Sequence, residues 1–418
     1  MTNDSTEPSP LPVRPPVLLV AVDRLPAWIL PVYGSAWVAM PALDTLAAQG
    51  LVLDRMIVPG DDPHRTLAEL LGGGPRWFDG LPARLAASGG ATALVTDDAT
   101  LAGPRPTGSD EAGGIDLHHV ALQPADEPAA DEHGTHVARL CDAASSVIER
   151  RQHDLVILHV SSLGHIWDAP AAFRDAYVEP EDPPAYPLTV VPDFETDADT
   201  DPDQLVAIRQ AFAGQLTLLD RCLGNVLAAA ASRPLGPGTV LLAGLRGMPL
   251  GLHGRVGTST AVPFGELVHG PAILVDHRGR MAAQRFGGLV VPADLGATLE
   301  DLLGLAPVGP GPVNPPAWAG TSLEPLLDRW QPRHRDRVVV TTPHGTAIVT
   351  DDWHALTRPE SLHERPMVFA KPDDYFELAD VASRCPEQAD RFGRLLAAAM
   401  AGDAVMAWSG PLAADSGS

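Results

Sequence analysis

Four polar residues stand where the surrounding pattern could put them to chemical use. Asp23 closes the apolar run VLLVAV (Val17–Val22), and the carboxyl end of a buried strand is where open α/β sheets gather their sites. Asp61 opens the segment DDPHR, and carboxylates do serve as nucleophiles in phosphoryl transfer. Arg65 falls on the first turn of a helix begun by Pro63, where the helix N-terminus favours a bound anion. His165, in SSLGHIWDAP, has the side chain of a general acid. Three of them have a structural competitor. Asp23 can pair with an arginine and fix a loop, Arg65 can form a salt bridge, and His165 can pack beside Trp167. A further group, His118, His119, His133 and His136, includes an HxxH spacing, with Asp131 and Glu132 as the nearby carboxylates. That is an incomplete zinc pattern.

Buried strands and helices must position these residues. VLLVAV is uniformly apolar, as in a strand covered on both faces. Met40–Gly50 reads as a helix ended by glycine, Leu53–Val58 as a second strand, and PHRTLAELLGG as a helix with proline in its first turn. Further strands are expected at Thr92–Thr96, Asp154–Val160, GTVLLAG and Ala272–Val275, with a long helix over about 203–232. Residues 97–130 and 169–203 are rich in Gly, Pro and Asp and read as irregular insertions. Apolar strands separated by helices imply a mainly parallel α/β sheet. After the Pro-rich connector GLAPVGPGPVNPPAW, the runs RVVVTT and GTAIVTDDW and a helix over about 386–400 imply a small α+β part. The expected organisation is a loose tail over 1–15, an α/β domain over 16–320, a small antiparallel sheet plus helix over 330–405, and a second tail over 406–418.

The chain has 418 residues and a formal net charge of −24. That length supports extended cores, and the acidity argues against nucleic-acid binding, which needs a basic surface. Lys371 is the single lysine, so mechanisms that need a lysine in the main domain are nearly excluded. The three cysteines, Cys141, Cys222 and Cys385, form no CxxC, so a disulfide framework is not expected. No stretch reads as a signal peptide or a membrane span, which makes the cytoplasm the expected location.

The order of segments resembles the sulfatase family of the alkaline-phosphatase superfamily. PVLLVAVDRLPAWILPVYGSAWVAMPALDTLAAQG resembles that family's opening strand, aspartate pair and helix, and DDPHR its Cys-x-Pro-x-Arg nucleophile motif. LLDRCLGNVLAAAASRPLGPGTVLLAGLRGMPLGLHG resembles the helix, strand and "SDHG" loop, and DDYFELADVASRCPEQ the late "LYDL..DP.E" landmark. The resemblance covers roughly residues 16–400. It implies an alkaline-phosphatase-like fold with a mainly parallel sheet, and in active relatives a Ca²⁺ ion and a formylglycine made from Cys or Ser.

Residue by residue, the chemistry departs from that pattern. Asp23 matches the first metal aspartate, but Arg24 stands at the second. Asp61 stands at the Cys/Ser position, and aspartate cannot become formylglycine. Pro63 and Arg65 keep the rest of the motif. Asp97 and Ala99 stand for a lysine and a histidine, Leu245 and Arg246 for the late metal pair, and Thr260 for the last lysine. His165 matches a family histidine, and His253–Arg255 a landmark at the pocket rim. The resemblance with these departures implies a degenerate sulfatase-like pseudoenzyme with no cofactor expected. It would bind a small anion, a sulfated ligand or an unidentified protein through Asp23, Arg24, Arg65, Arg246 and His165. Two alternatives remain open: a hydrolase of altered mechanism working through Asp61, Arg65 and His165, and a structural protein with a collapsed pocket. Because arginines replace acids around Asp23, at least one of Arg24, Arg65 and Arg246 is expected within salt-bridge distance of Asp23 or Asp61.

Overall fold

The computed structural model describes residues 14–402 except 73, 75, 104–113, 234–237, 260, 306–319, 330–333 and 360–364. The expected tails at 1–15 and 406–418 lie wholly or mainly outside the described residues, as do Thr260 and most of the Pro-rich connector. Strands β1 (Val17–Val22), β2 (Leu51–Ile57), β3 (Thr92–Thr96), β4 (Ile115–His119) and β5 (Leu155–Val160) are joined by a two-residue β6 (Phe194–Glu195) to β7 (Thr239–Gly244). A two-residue β8 (Arg255–Val256), β9 (His269–Val275) and β10 (Gln284–Val290) follow. The main sheet has the order β10-β2-β9-β7-β1-β5-β3-β4, which puts β1 well inside it. Every pairing is parallel except those of β9, which runs against both β7 and β2. The expected mainly parallel sheet is therefore present.

Alternation along β1 divides the core. Leu18, Val20 and Val22 face one apolar layer, and Val17, Leu19 and Ala21 the other. Helices α1 (Pro41–Gln49), α4 (His136–Arg150) and α6 (Pro202–Ala231) cover the first face, with the short α5 (Ala171–Asp175) against α6. Helices α2 (Pro63–Leu70), α3 (Leu81–Ala87), α8 (Pro292–Leu302) and α9 (Glu324–Asp328) supply apolar residues to the second. A four-residue α7 (Gly265–Val268) leads into β9.

Two strands differ from the sequence reading. β4 lies inside the stretch expected to be irregular. Its sequence, IDLHH, carries no apolar run because it is an edge strand, paired to β3 alone. β10, QRFGGLV, carries two adjacent glycines and a register shift against β2.

Strands β11 (Arg337–Thr342), β12 (Gly345–Thr350), β13 (Trp353–Thr357) and β14 (Met367–Ala370) form an antiparallel sheet in chain order, followed by α10 (Pro386–Met400). Val340, Ala347, Val349 and Leu356 pack one face onto Ile57, Phe264, Leu267 and Leu289 of the main body. Ile348, Ala355 and Val368 pack the other onto Phe392, Leu395 and Leu396 of α10. Among the described residues, no helix is long and apolar enough to cross a membrane.

Candidate functional site

Asp23, Arg24 and Arg246 meet at the carboxyl ends of the parallel strands. Asp23 N–H donates to Val160 O at 2.9 Å, Leu245 N–H to Val22 O at 2.8 Å, and Leu25 N–H to Arg246 O at 3.0 Å. These bonds hold the ends of β1, β5 and β7 in register, so Asp23 and Arg246 emerge side by side.

Arg246 meets Asp23 as a bidentate fork. Its Nε lies 2.7 Å from Oδ1 and its Nη2 3.0 Å from Oδ2. Its Nη1 donates to the backbone oxygen of Asp61 at 2.5 Å. The ion pair expected from the charge pattern thus forms between Arg246 and Asp23, whose side chains are 16% and 5% exposed. Burial pushes the Asp23 carboxyl up, but the charge and hydrogen bonds of Arg246, with Arg24 and His159 behind, hold it below its ordinary value.

Arg24 reaches the same place by leaving the strand. At φ +63° it adopts the left-handed conformation, so its side chain no longer alternates with that of Asp23. Its N–H donates to Asp23 Oδ1 at 3.0 Å and its Nη2 to Thr258 O. Gly164 makes room for it, since a Cβ there would lie 3.2 Å from Arg24 Cγ. Burial, then repulsion from Arg246, lowers the Arg24 pKa to about 10, which leaves it cationic at neutral pH.

Arg65 turns away. It lies on the first turns of α2, where its Nε pairs with Glu69 Oε1 at 2.9 Å and its side chain is 60% exposed. Asp61 lends its carbonyl to Arg246, and its Oδ2 is buried without a partner. His165 is exposed, and its N–H donates to Ser162 O. Asp97 is a structural latch at 1% exposure. It accepts the N–H groups of Ser161 at 2.7 Å and Ser162 at 3.1 Å, which ties the end of β3 to the end of β5.

The sequence reading missed His159, Asp98 and His64. His159 Nδ1 lies 2.9 Å from Thr96 Oγ1, and burial lowers its pKa despite Asp97, Asp98 and Asp23 nearby. His64 Nε2 lies 2.6 Å from Asp98 Oδ2. That bond raises the His64 pKa, and it holds Asp98 low against the effect of burial. The adjacent acids Asp97 and Asp98 directly after a buried strand were the available signal. Within the wider histidine group, His118 lies 2.9 Å from Asp116, and His136 of the HxxH spacing lies 3.3 Å from Asp97.

The donor set does not fit a dication. Ca²⁺ takes six to eight oxygens, but both oxygens of Asp23 are engaged by Arg246, and Arg24 and Leu245 contribute none. Among the described residues, no group of three or more His, Cys, Asp or Glu is arranged to hold a metal ion. A cleft of about 40 Å³ lies beside Asp61, Asp62, Arg65 and Glu69.

The architecture is similar to those of solved sulfatases and phosphonate monoester hydrolases. The phosphonate monoester hydrolase of Agrobacterium radiobacter superposes with a TM-score of 0.70 at 18% identity, over 96% of this chain and 97% of that one. The corresponding hydrolase from Silicibacter pomeroyi gives 0.68 at 16%, over 96% and 97%. A 2-O GAG sulfatase gives 0.65 at 16%, over 95% and 94%. At these identities the likeness establishes the fold. No family model and no curated protein sequence matches the chain.

Proposed function

We propose that this chain is a sulfatase-fold protein that binds a small oxyanion beside Arg24 and does not hydrolyse esters. The observation that carries the reading is Arg24 itself. Its guanidinium is buried at 2% exposure, and its Nε and Nη1 have no acceptor. His159 Nε2 and the hydroxyls of Ser161 and Ser162 are likewise buried and unpartnered. A buried donor without an acceptor is costly, and sulfate or phosphate offers several acceptor oxygens at once. The geometry disfavours hydrolysis. Arg246 fills the place a metal would take on Asp23, and no Cys or Ser precedes Pro63 for conversion to formylglycine. With Arg65 turned to Glu69, the expected excess of positive charge is absent: Asp23 and Asp61 balance Arg24 and Arg246, so the site should be weak.

The test is calorimetric titration with sodium sulfate against sodium chloride of equal ionic strength, together with p-nitrophenyl sulfate and phosphate turnover assays. Saturable sulfate binding lost in Arg24→Met, with no turnover, is the expected result. Absence of binding would favour the collapsed, purely structural pocket. Turnover lost in Asp61→Ala would establish the altered hydrolase.

A further inference from the structure

A second site lies away from the aspartate–arginine cluster, between the two sheets. There β2, β9 and β10 meet β12, β13 and the segment after β14 around a cavity of 410 Å³. That volume is in the range of small-molecule sites.

The charges on its walls are paired internally. Arg55 lies 2.5 Å from Asp351, and Arg285 lies 2.5 Å from Asp54. Lys371, the single lysine of the chain, lies 2.7 Å from Glu377, and His253 lies 2.9 Å from Glu266. A wall whose ions are already matched has little with which to recruit another ion.

The remaining lining is mostly apolar, with Ile57, Leu252, Val268 and Val349 beside a group of aromatic rings. Trp28 meets Phe376 edge-on at 6.2 Å between ring centroids, Tyr375 meets Phe376 at 5.1 Å, and Tyr33 stands edge-on to His269 at 5.8 Å. Two polar tips among these rings have no partner: Trp28 Nε1 and Tyr375 Oη are both buried and unbonded. An indole N–H can only donate, so a complementary molecule must carry an acceptor.

We propose that this cavity binds an uncharged aromatic molecule of one or two rings, held between Trp28, Tyr375 and Phe376, with an acceptor atom facing Trp28 Nε1 and Tyr375 Oη. Flat apolar faces match the ring walls, and the matched charges exclude an ionic ligand. The site shares no residue with the Asp23–Arg246 cluster, so it stands independently of the oxyanion reading.

The experiment titrates the full chain with 2-naphthol by calorimetry, with naphthalene-2-sulfonate and methyl glucoside as comparison probes. Saturable one-to-one binding of 2-naphthol is expected, at least tenfold tighter than either comparison probe. Trp28→Phe and Tyr375→Phe keep the rings and remove the polar tips, and each should weaken binding about five- to tenfold, the loss of one hydrogen bond. Absence of saturable 2-naphthol binding would overturn the proposal, as would binding indifferent to both variants. Preference for the sulfonate would overturn it by showing that the cavity selects charge, and preference for the glucoside by showing that it selects hydroxyls.

Discussion

Replacing Arg246 with alanine tests the arrangement at the strand ends most directly. The substitution leaves Asp23, 4% exposed, without the fork that engages both its oxygens, and frees the carbonyl of Asp61. Breaking a buried ion pair by removing one partner costs about 3–5 kcal/mol. The unfolding entropy of a 418-residue chain is about 0.9 kcal/mol/K, so the midpoint of a single cooperative transition should fall by about 3–6 °C. The pH dependence gives a sharper signature. In the parent, the Asp23 pKa is depressed, so its contribution is present above the unfolded carboxylate value and lost as pH falls through the folded one. In the variant the depressing partner is gone and burial dominates, so the pKa rises above the unfolded value. The variant is then most destabilised at neutral pH and is relieved as Asp23 takes up a proton. Urea unfolding at pH 7.5, 6 and 5 should show the gap between parent and variant narrowing toward acid. Combining Arg246→Met with Asp23→Asn should recover most of the loss. A gap below about 1 kcal/mol, or one independent of pH, would refute the reasoning.

Other expectations follow from the same geometry. Asp97→Ala should cost about 2–4 kcal/mol in urea unfolding, because the Ser161 and Ser162 N–H groups lose their buried acceptor. Arg65→Ala, which removes a largely exposed helical pair with Glu69, should cost less than about 1 kcal/mol and leave sulfate titrations unchanged. Asp61→Cys co-expressed with the formylglycine-generating enzyme should yield no aryl sulfatase activity in a p-nitrophenyl sulfate assay, since Arg246 still occupies Asp23. Sulfatase turnover by that variant would contradict the reading of the site.

The strands that carry the site were legible because both their faces are covered, which leaves uninterrupted apolar runs such as VLLVAV and LVILHV. β4 was not, because an edge strand with half-buried faces has no such run. The Asp23–Arg246 pair could be anticipated through the resemblance, which set Arg246 at a metal position beside Asp23; a buried carboxylate next to arginines then has few other solutions. The direction of Arg65 was also open to reading, through Glu69 four residues along the same helix. His159 was hidden inside a strand that reads as plain core, and only its register beside Thr96 across β3 and β5 gives it a partner. The cavity between the sheets had no local signature at all, since Trp28, Arg55, Arg285 and Tyr375 come from distant segments.

The guanidinium on Asp23 also changes what the folded population depends on. A centre that borrows its positive charge from solution is stabilised by mass action, and its folded fraction varies with the free concentration of the ion. Here the charge is part of the polypeptide, at fixed stoichiometry from the moment of synthesis. At Asp23 no loading step is needed, because Arg246 itself engages both carboxylate oxygens. In exchange, the strength of this centre is not tuned by supply of an ion; it changes with protonation of Asp23 or with substitution of residue 246 or its carboxylate.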